Sequence, residues 1–128
     1  MGVYETKRIL DVGQCPRDRG LIERFLLSFN ERLQISHVDC ITEALKSLKE
    51  NKFDLVLVNR KIDCDYSDGI ELVRLIQEFP EQQRPPVMLV SNYPDAQAVA
   101  VNHGAVPGFG KNFDISSQTR DFLSRHLN

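Results

Sequence analysis

Phe53-Asp54-Leu55-Val56-Leu57-Val58-Asn59 is the stretch that decides the fold. Leu55 to Val58 is continuously apolar instead of alternating, the pattern of a strand buried on both faces of a parallel sheet. Working outward, turn signals divide the chain into short apolar runs and longer amphipathic ones. Ile9-Leu10-Asp11-Val12 reads as a first strand, halted by Gly13-Gln14-Cys15-Pro16. Pro16 fits a first helical turn, and Leu21, Ile22, Phe25, Leu26 and Phe29 then recur with helical spacing, weakened locally by Gly20. Gln34-Ile35-Ser36-His37-Val38 reads as a second strand. Thr42 then starts a short helix with Ala44, Leu45 and Leu48 as its apolar stripe.

Downstream of Asn59, a polar loop reaches Asp68-Gly69. Ile70 to Phe79 places Leu72, Leu75, Ile76 and Phe79 on one helical side, and Pro80 closes it. Pro85-Pro86 precede a fourth strand, Val87-Met88-Leu89-Val90-Ser91. A small-residue helix runs from Asp95 to His103 and stops at Gly104. A weak fifth strand surrounds Phe109, and a last helix, with a thin stripe and an incompletely docked face, spans about Ser116 to Leu127.

Five strands alternating with five helices require a parallel sheet covered on both faces, because each crossover helix must bury its stripe. The 128 residues fit a single domain, 1–128, standing alone or excised from a longer multidomain protein. Composition agrees, with 41% hydrophobic and 27% charged residues. A net charge of -2 gives no support to nucleic-acid binding. No apolar run approaches the roughly 20 residues that cross a bilayer, and Met1-Gly2-Val3-Tyr4-Glu5 lacks a secretory core, so the chain reads as soluble and cytoplasmic. Cys15, Cys40 and Cys64 are odd in number and outside any CxxC pair, the pattern of unpaired thiols. His37, His103 and His126 read as satisfied or exposed rather than as ligands. No GxGxxG or Walker sequence follows the first strand.

The carboxyl edge of such a sheet gathers the strand-end loops and is the default site. Here it collects Gly13, Gln14, Asn59, Ser91 and Lys111. Together with Lys7-Arg8-Ile9-Leu10-Asp11-Val12, Asp68-Gly69-Ile70-Glu71-Leu72, Pro86-Val87-Met88-Leu89-Val90-Ser91 and Gly104-Ala105, these residues make the chain resemble the receiver domain of bacterial two-component response regulators over essentially its whole length. The resemblance implies a flavodoxin-like (βα)5 fold with strand order 2-1-3-4-5.

In that family, two acidic residues after the first strand and an aspartate after the third bind magnesium, and the aspartate accepts a phosphoryl group. Magnesium favours hard oxygen ligands, and the transfer needs a carboxylate in line. Matched by position, the acidic pair falls on Gly13 and Gln14 and the acceptor on Asn59, so all three carboxylates are missing. An amide oxygen lacks the carboxylate's charge, and Gly13 offers no side chain. No metal, cofactor or catalytic residue is therefore expected. Asp11, Asp54, Asp63 and Asp65 are the leftover carboxylates, expected in structural, capping or solvated roles rather than as substitutes.

Ser91 and Lys111 match the family's phosphate-binding hydroxyl and lysine. Without a facing carboxylate, Lys111 could bond Asn59, a carbonyl or an anion. Asn92 follows Ser91 and is expected to crowd the pocket. The aromatic switch position aligns with Gly108; Phe109 is displaced by one, which in a strand turns the ring to the opposite face and into the core. Asn112 replaces a usual proline. The loop from Asn59 to Asp68-Gly69 is two residues longer than the common pattern, and its tip carries Tyr66.

These features imply a phosphorylation-independent, pseudo-receiver module working in signal transduction through a protein partner or an output or sensor domain, not an enzyme. The resemblance places contacts, including a homodimer, at the fourth helix (Asp95 to His103), the fifth strand (Phe109) and the last helix (Phe122, Leu123). The alternative is an atypical working receiver that uses a substitute carboxylate or binds a small anion near Lys111 and Ser91.

Overall fold

A computed structural model describes residues 6–128, and Met1 to Glu5, where the absence of a secretory core was read, lie outside the described residues. Ten main elements alternate: β1 (Arg8–Val12), α1 (Pro16–Leu27), β2 (Gln34–Val38), α2 (Ile41–Glu50), β3 (Leu55–Asn59), α3 (Ile70–Ile76), β4 (Val87–Val90), α4 (Pro94–Asn102), β5 (Val106–Phe109) and α5 (Ser117–His126). The strands form one parallel sheet in the order β2-β1-β3-β4-β5, the doubly wound arrangement expected. All five residues of β3 are buried, as its uninterrupted apolar run requires.

Alternation along the strands divides the interior into two cores. Val56, Val58 and Leu89 pack with Leu72 and Ile76 of α3 and Ala100 of α4. On the opposite face, Leu55, Leu57 and Met88 pack with Ile22 and Leu26 of α1 and Leu123 of α5. Leu123 and Leu127 are fully buried, so the last helix is completely docked, contrary to its thin stripe. Thr119 explains the difference: its buried hydroxyl donates to the Pro107 and Gly108 carbonyls, and a polar group thereby fills a position on the docked face.

Boundaries shift where a local signal is outweighed. Cys40, not Thr42, sits at the N-cap of α2, with extended dihedrals and no side-chain cap, and Thr42 lies within the helix. Helix α3 ends at Ile76, and Phe79 belongs to the turn before Pro80, its N–H donating to the Ile76 carbonyl at 3.1 Å. Phe53 and Asp54 precede β3; Asp54 accepts from the Arg8 N–H at 2.8 Å, on the amino edge of the sheet and away from Asn59. Among the described residues, no helix is long and apolar enough to cross a membrane.

Candidate functional site

The first strand ends in Gly13 at φ +79, a conformation that costs a side-chain-bearing residue but not glycine. A side chain there would also press on Ile62. A Cβ on Gly13 would stand 2.5 Å from Ile62 Cδ1 and 3.3 Å from Ile62 Cα. Ile62 comes from the enlarged loop after β3, which folds back as a small hairpin. Lys61 bridges Asp68, the Ile62 N–H donates to the Ser67 carbonyl at 2.9 Å, and the Asp63 N–H donates to the Gly13 carbonyl at 2.9 Å. Ile62 is fully buried, and removing such a side chain from water is worth roughly 2 kcal/mol. Ile62 therefore packs where a side chain on Gly13 would begin.

Asn59 is bound into the same closure. Its Nδ2 donates to the Gly13 carbonyl at 3.1 Å, tying the end of β3 to the end of β1. An ionised carboxylate could only accept, and would face that carbonyl oxygen with like charge. Gln14 is 2% exposed, and neither its Oε1 nor its Nε2 has a hydrogen-bond partner. These donors do not suit magnesium: one position has no side chain and is covered, one amide is turned to backbone, and none is anionic.

Lys111 bonds neither Asn59 nor a carbonyl. Its Nζ meets Asp18 Oδ2 of α1 at 2.6 Å. Burial opposes ionisation of Asp18, but hydrogen bonds from Lys111 and Cys15 and the charges of Lys111 and Arg17 outweigh it, holding the carboxyl below its usual range. Ser91 Oγ accepts the Tyr93 N–H at 3.1 Å, and its own N–H donates to the Phe109 carbonyl at 2.9 Å. Asn92 is exposed and leans over Gly110, where an added Cβ would collide with its amide.

The β4–β5 pairing carries one extra residue on β5, since Met88 faces Val106 but Val90 faces Phe109. This irregularity turns Phe109 inward, 5.0 Å from the Phe25 ring, with Phe113 packing on both. At Gly108 an added Cβ would collide with the Leu89 carbonyl, so no aromatic switch fits there. Gln97 of α4 seals the seam: Nε2 donates to the Leu89 carbonyl at 2.9 Å and the Ser91 carbonyl at 3.1 Å, while Oε1 accepts the Gly108 N–H at 3.1 Å.

Of the expected contact residues, Asp95 and His103 are exposed and Phe122 is half-buried, stacked on His126 at 5.0 Å. Phe109 and Leu123 are 3% and 0% exposed and belong to the core, so they present no surface in this chain. Tyr66 is 72% exposed, at φ +60, with the Lys61 ammonium over its ring. Among the leftover carboxylates, Asp65 accepts from Ser67, and Asp11 faces α1 rather than the pocket, where His37 Nδ1 donates to it at 2.9 Å. Among the described residues no cluster of three or more His, Cys, Asp or Glu side chains could hold a metal.

Sequence reasoning missed Ile62, Asp18 and Gln97. Ile62 had a signal, a lone aliphatic residue in an otherwise polar loop. Asp18 and Gln97 had none, because their partners are 93 and 11 residues away and are set by tertiary packing.

Comparison with known proteins agrees with this geometry. The family profile described as the response regulator receiver domain matches residues 16–119, and the chain belongs to that family. Asn59 stands in the place of its phosphoacceptor aspartate, which makes this a degenerate, pseudo-receiver member. Among solved structures, a response regulator from Chloroflexus aurantiacus superposes with a TM-score of 0.79 at 16% identity, covering 96% of this chain and 98% of that one. NtrX from Brucella abortus gives 0.74 at 21% identity, over 96% of this chain and 27% of that one. Chemotaxis response regulator CheY4 of Vibrio cholerae gives 0.70 at 16% identity, over 96% and 100%. No curated protein matches the sequence.

Proposed function

We propose that this receiver domain is a phosphorylation-independent signalling module, which works in the cytoplasm by binding a protein partner or regulating an attached output or sensor domain. The observation that carries this reading is the Ile62 side chain packed over Gly13, which occupies the space that a metal-binding carboxylate would need. The inward amide of Asn59 and the Lys111–Asp18 pair support it, since each satisfies internally a group that phosphoryl transfer would require free. For the contact surface, α4 leaves Val99 and Val101 44% and 40% exposed, next to Asp95 and His103. A second copy of the chain is one partner this face would suit, with the outer side of α5 around Phe122 at its margin.

The test is incubation with acetyl phosphate and magnesium, followed by intact mass. The unmodified mass is expected, and beryllofluoride with magnesium should leave the amide spectrum unchanged. Stoichiometric gain of one phosphoryl group, lost on replacing Asp63 or Asp65, would overturn the reading. Sedimentation equilibrium of the wild type and Val101→Glu tests the contact face, with weakened self-association expected in the variant.

A further inference from the structure

Above the plugged pocket lies an open cleft of about 460 Å³, lined in part by Arg60, Lys61, Tyr66, Ser91, Asn92 and Tyr93. Its volume falls within the range of small-molecule sites, about 300–1,000 Å³. Tyr66 and Tyr93 are 72% and 70% exposed, the two most exposed large hydrophobic side chains in the described structure. They rise from the loops that follow β3 and β4, which are adjacent strands with Asn59 opposite Val90. The cleft thus has an aromatic side chain on each of two neighbouring loops.

Its charges are available too. Lys111 also lines the cleft, but Asp18 already meets its charge. Arg60 is exposed, and its guanidinium has no hydrogen bond or ion pair among the described residues. The Lys61 ammonium lies over the Tyr66 ring, at 4.9 Å, and makes no ion pair among the described residues. Asp63 is the one carboxylate lining the cleft, on a chain whose net charge is -2. A free guanidinium offers a planar fork to a phosphate or carboxylate, and tyrosine faces offer stacking to a flat ring. Ser91 and Asn92 also line the cleft, with a hydroxyl and an amide for a ring's polar edge.

We propose that this cleft binds a small phosphate ester carrying a planar heterocycle, of the nucleoside monophosphate class. The anion sits against Arg60 and Lys61, and the base packs against Tyr66 and Tyr93. The hairpin that carries Ile62 would thereby serve as one wall of a non-covalent site at the same sheet edge, which Asn59 also lines. This inference does not rest on the absence of phosphorylation; it requires only the cleft.

The chain has no tryptophan and three tyrosines, two of them in the cleft, so tyrosine emission reports on occupancy directly. The experiment titrates the full chain with AMP, UMP, adenosine, inorganic phosphate and phenyl phosphate, by calorimetry and by emission. Saturable binding of AMP or UMP is expected, about tenfold or more tighter than adenosine or inorganic phosphate, given the usual strength of base stacking. Tyr66→Ala and Arg60→Ala, both at exposed positions, should each weaken nucleotide binding about tenfold while circular dichroism stays unchanged, and Val101→Glu should leave affinity intact. No saturable binding of either nucleotide would overturn the proposal. So would unchanged affinity in both cleft variants, or phenyl phosphate binding as tightly as the nucleotides. None of these outcomes bears on the acetyl phosphate result, so the two readings fail separately.

Discussion

Two regions of this molecule treat buried charge in opposite ways. At the carboxyl edge, the positions that carry acids in the family are Gly13, Gln14 and Asn59, and an aliphatic side chain closes the space. Two residues back along β1, on the face under α1, Asp11 is a carboxylate with no side-chain exposure. It is tolerated there because β1 and β2 pair Asp11 directly with His37, whose Nδ1 lies 2.9 Å from Asp11 Oδ2 and whose Nε2 lies 3.2 Å from Glu23 Oε2. The sheet can therefore hold an acid, provided that its counter-charge comes from protein. At the carboxyl edge the acidic trio is gone, and Ile62 packs over Gly13 instead.

The largest effect expected from breaking this contrast is at Asp11. Asp11→Ala leaves an imidazole without its buried partner and should cost about 3–5 kcal/mol in urea unfolding. The same loss should largely disappear in Asp11→Val with His37→Val, because a well-packed apolar pair removes both desolvation penalties together. A double variant as unstable as the single one would show that the pair acts through packing and not through charge.

Ile62→Ala comes next, at about 2–5 kcal/mol, since it empties a fully buried position. It also sharpens the functional side of the contrast. Opening the plug should leave acetyl phosphate and magnesium without effect on intact mass, because Asn59 still offers an amide. Asn59→Asp in the wild-type background should cost about 1–3 kcal/mol, as a donor to the Gly13 carbonyl becomes a like-charged acceptor. It too should remain unphosphorylated, because Ile62 still covers Gly13. Stoichiometric modification of Asn59→Asp alone would show that the plug does not close the site.

The two regions also differ in how far their sequence revealed them. Loss of the acids was legible at Gly13, Gln14 and Asn59 once order and spacing aligned the chain; Phe109 was read as core, but its inward turn comes from the extra residue on β5 and not from strand parity. Strand β2 was legible to the residue, Gln34–Val38. What was not legible is what fills and neutralises. Ile62 against Gly13, Lys111 against Asp18, and Gln97 across the β4–β5 seam are set by how loops and helices close over the sheet. Asp11 was read correctly as lying inside its strand, but its partner follows only from the register with β2.

The smallest effects, and the finest test of the contrast, are in the pH dependence of stability. His37 is raised above its ordinary value: the hydrogen bond to Asp11 raises it, burial opposes, and Glu23 adds to the rise. Its stabilising contribution is therefore complete below the unfolded histidine value of about 6.5 and is lost as pH climbs through the folded value. Asp18 is shifted the other way, so its contribution is complete above the unfolded aspartate value of about 3.9 and fades as pH falls through the folded value. Urea midpoints followed from pH 3 to 9 should decline on both sides of a mildly acidic plateau. His37→Gln should flatten the alkaline side, and Asp18→Asn should reduce the acidic decline, to which Asp65 and Glu71, also shifted down, contribute the rest. Removing the half-exposed Lys111 partner by Lys111→Met should cost no more than about 1 kcal/mol. If Asp18→Asn left the acidic decline intact, the Lys111 pair would be energetically silent and the closed edge would rest on Ile62 and Asn59 alone.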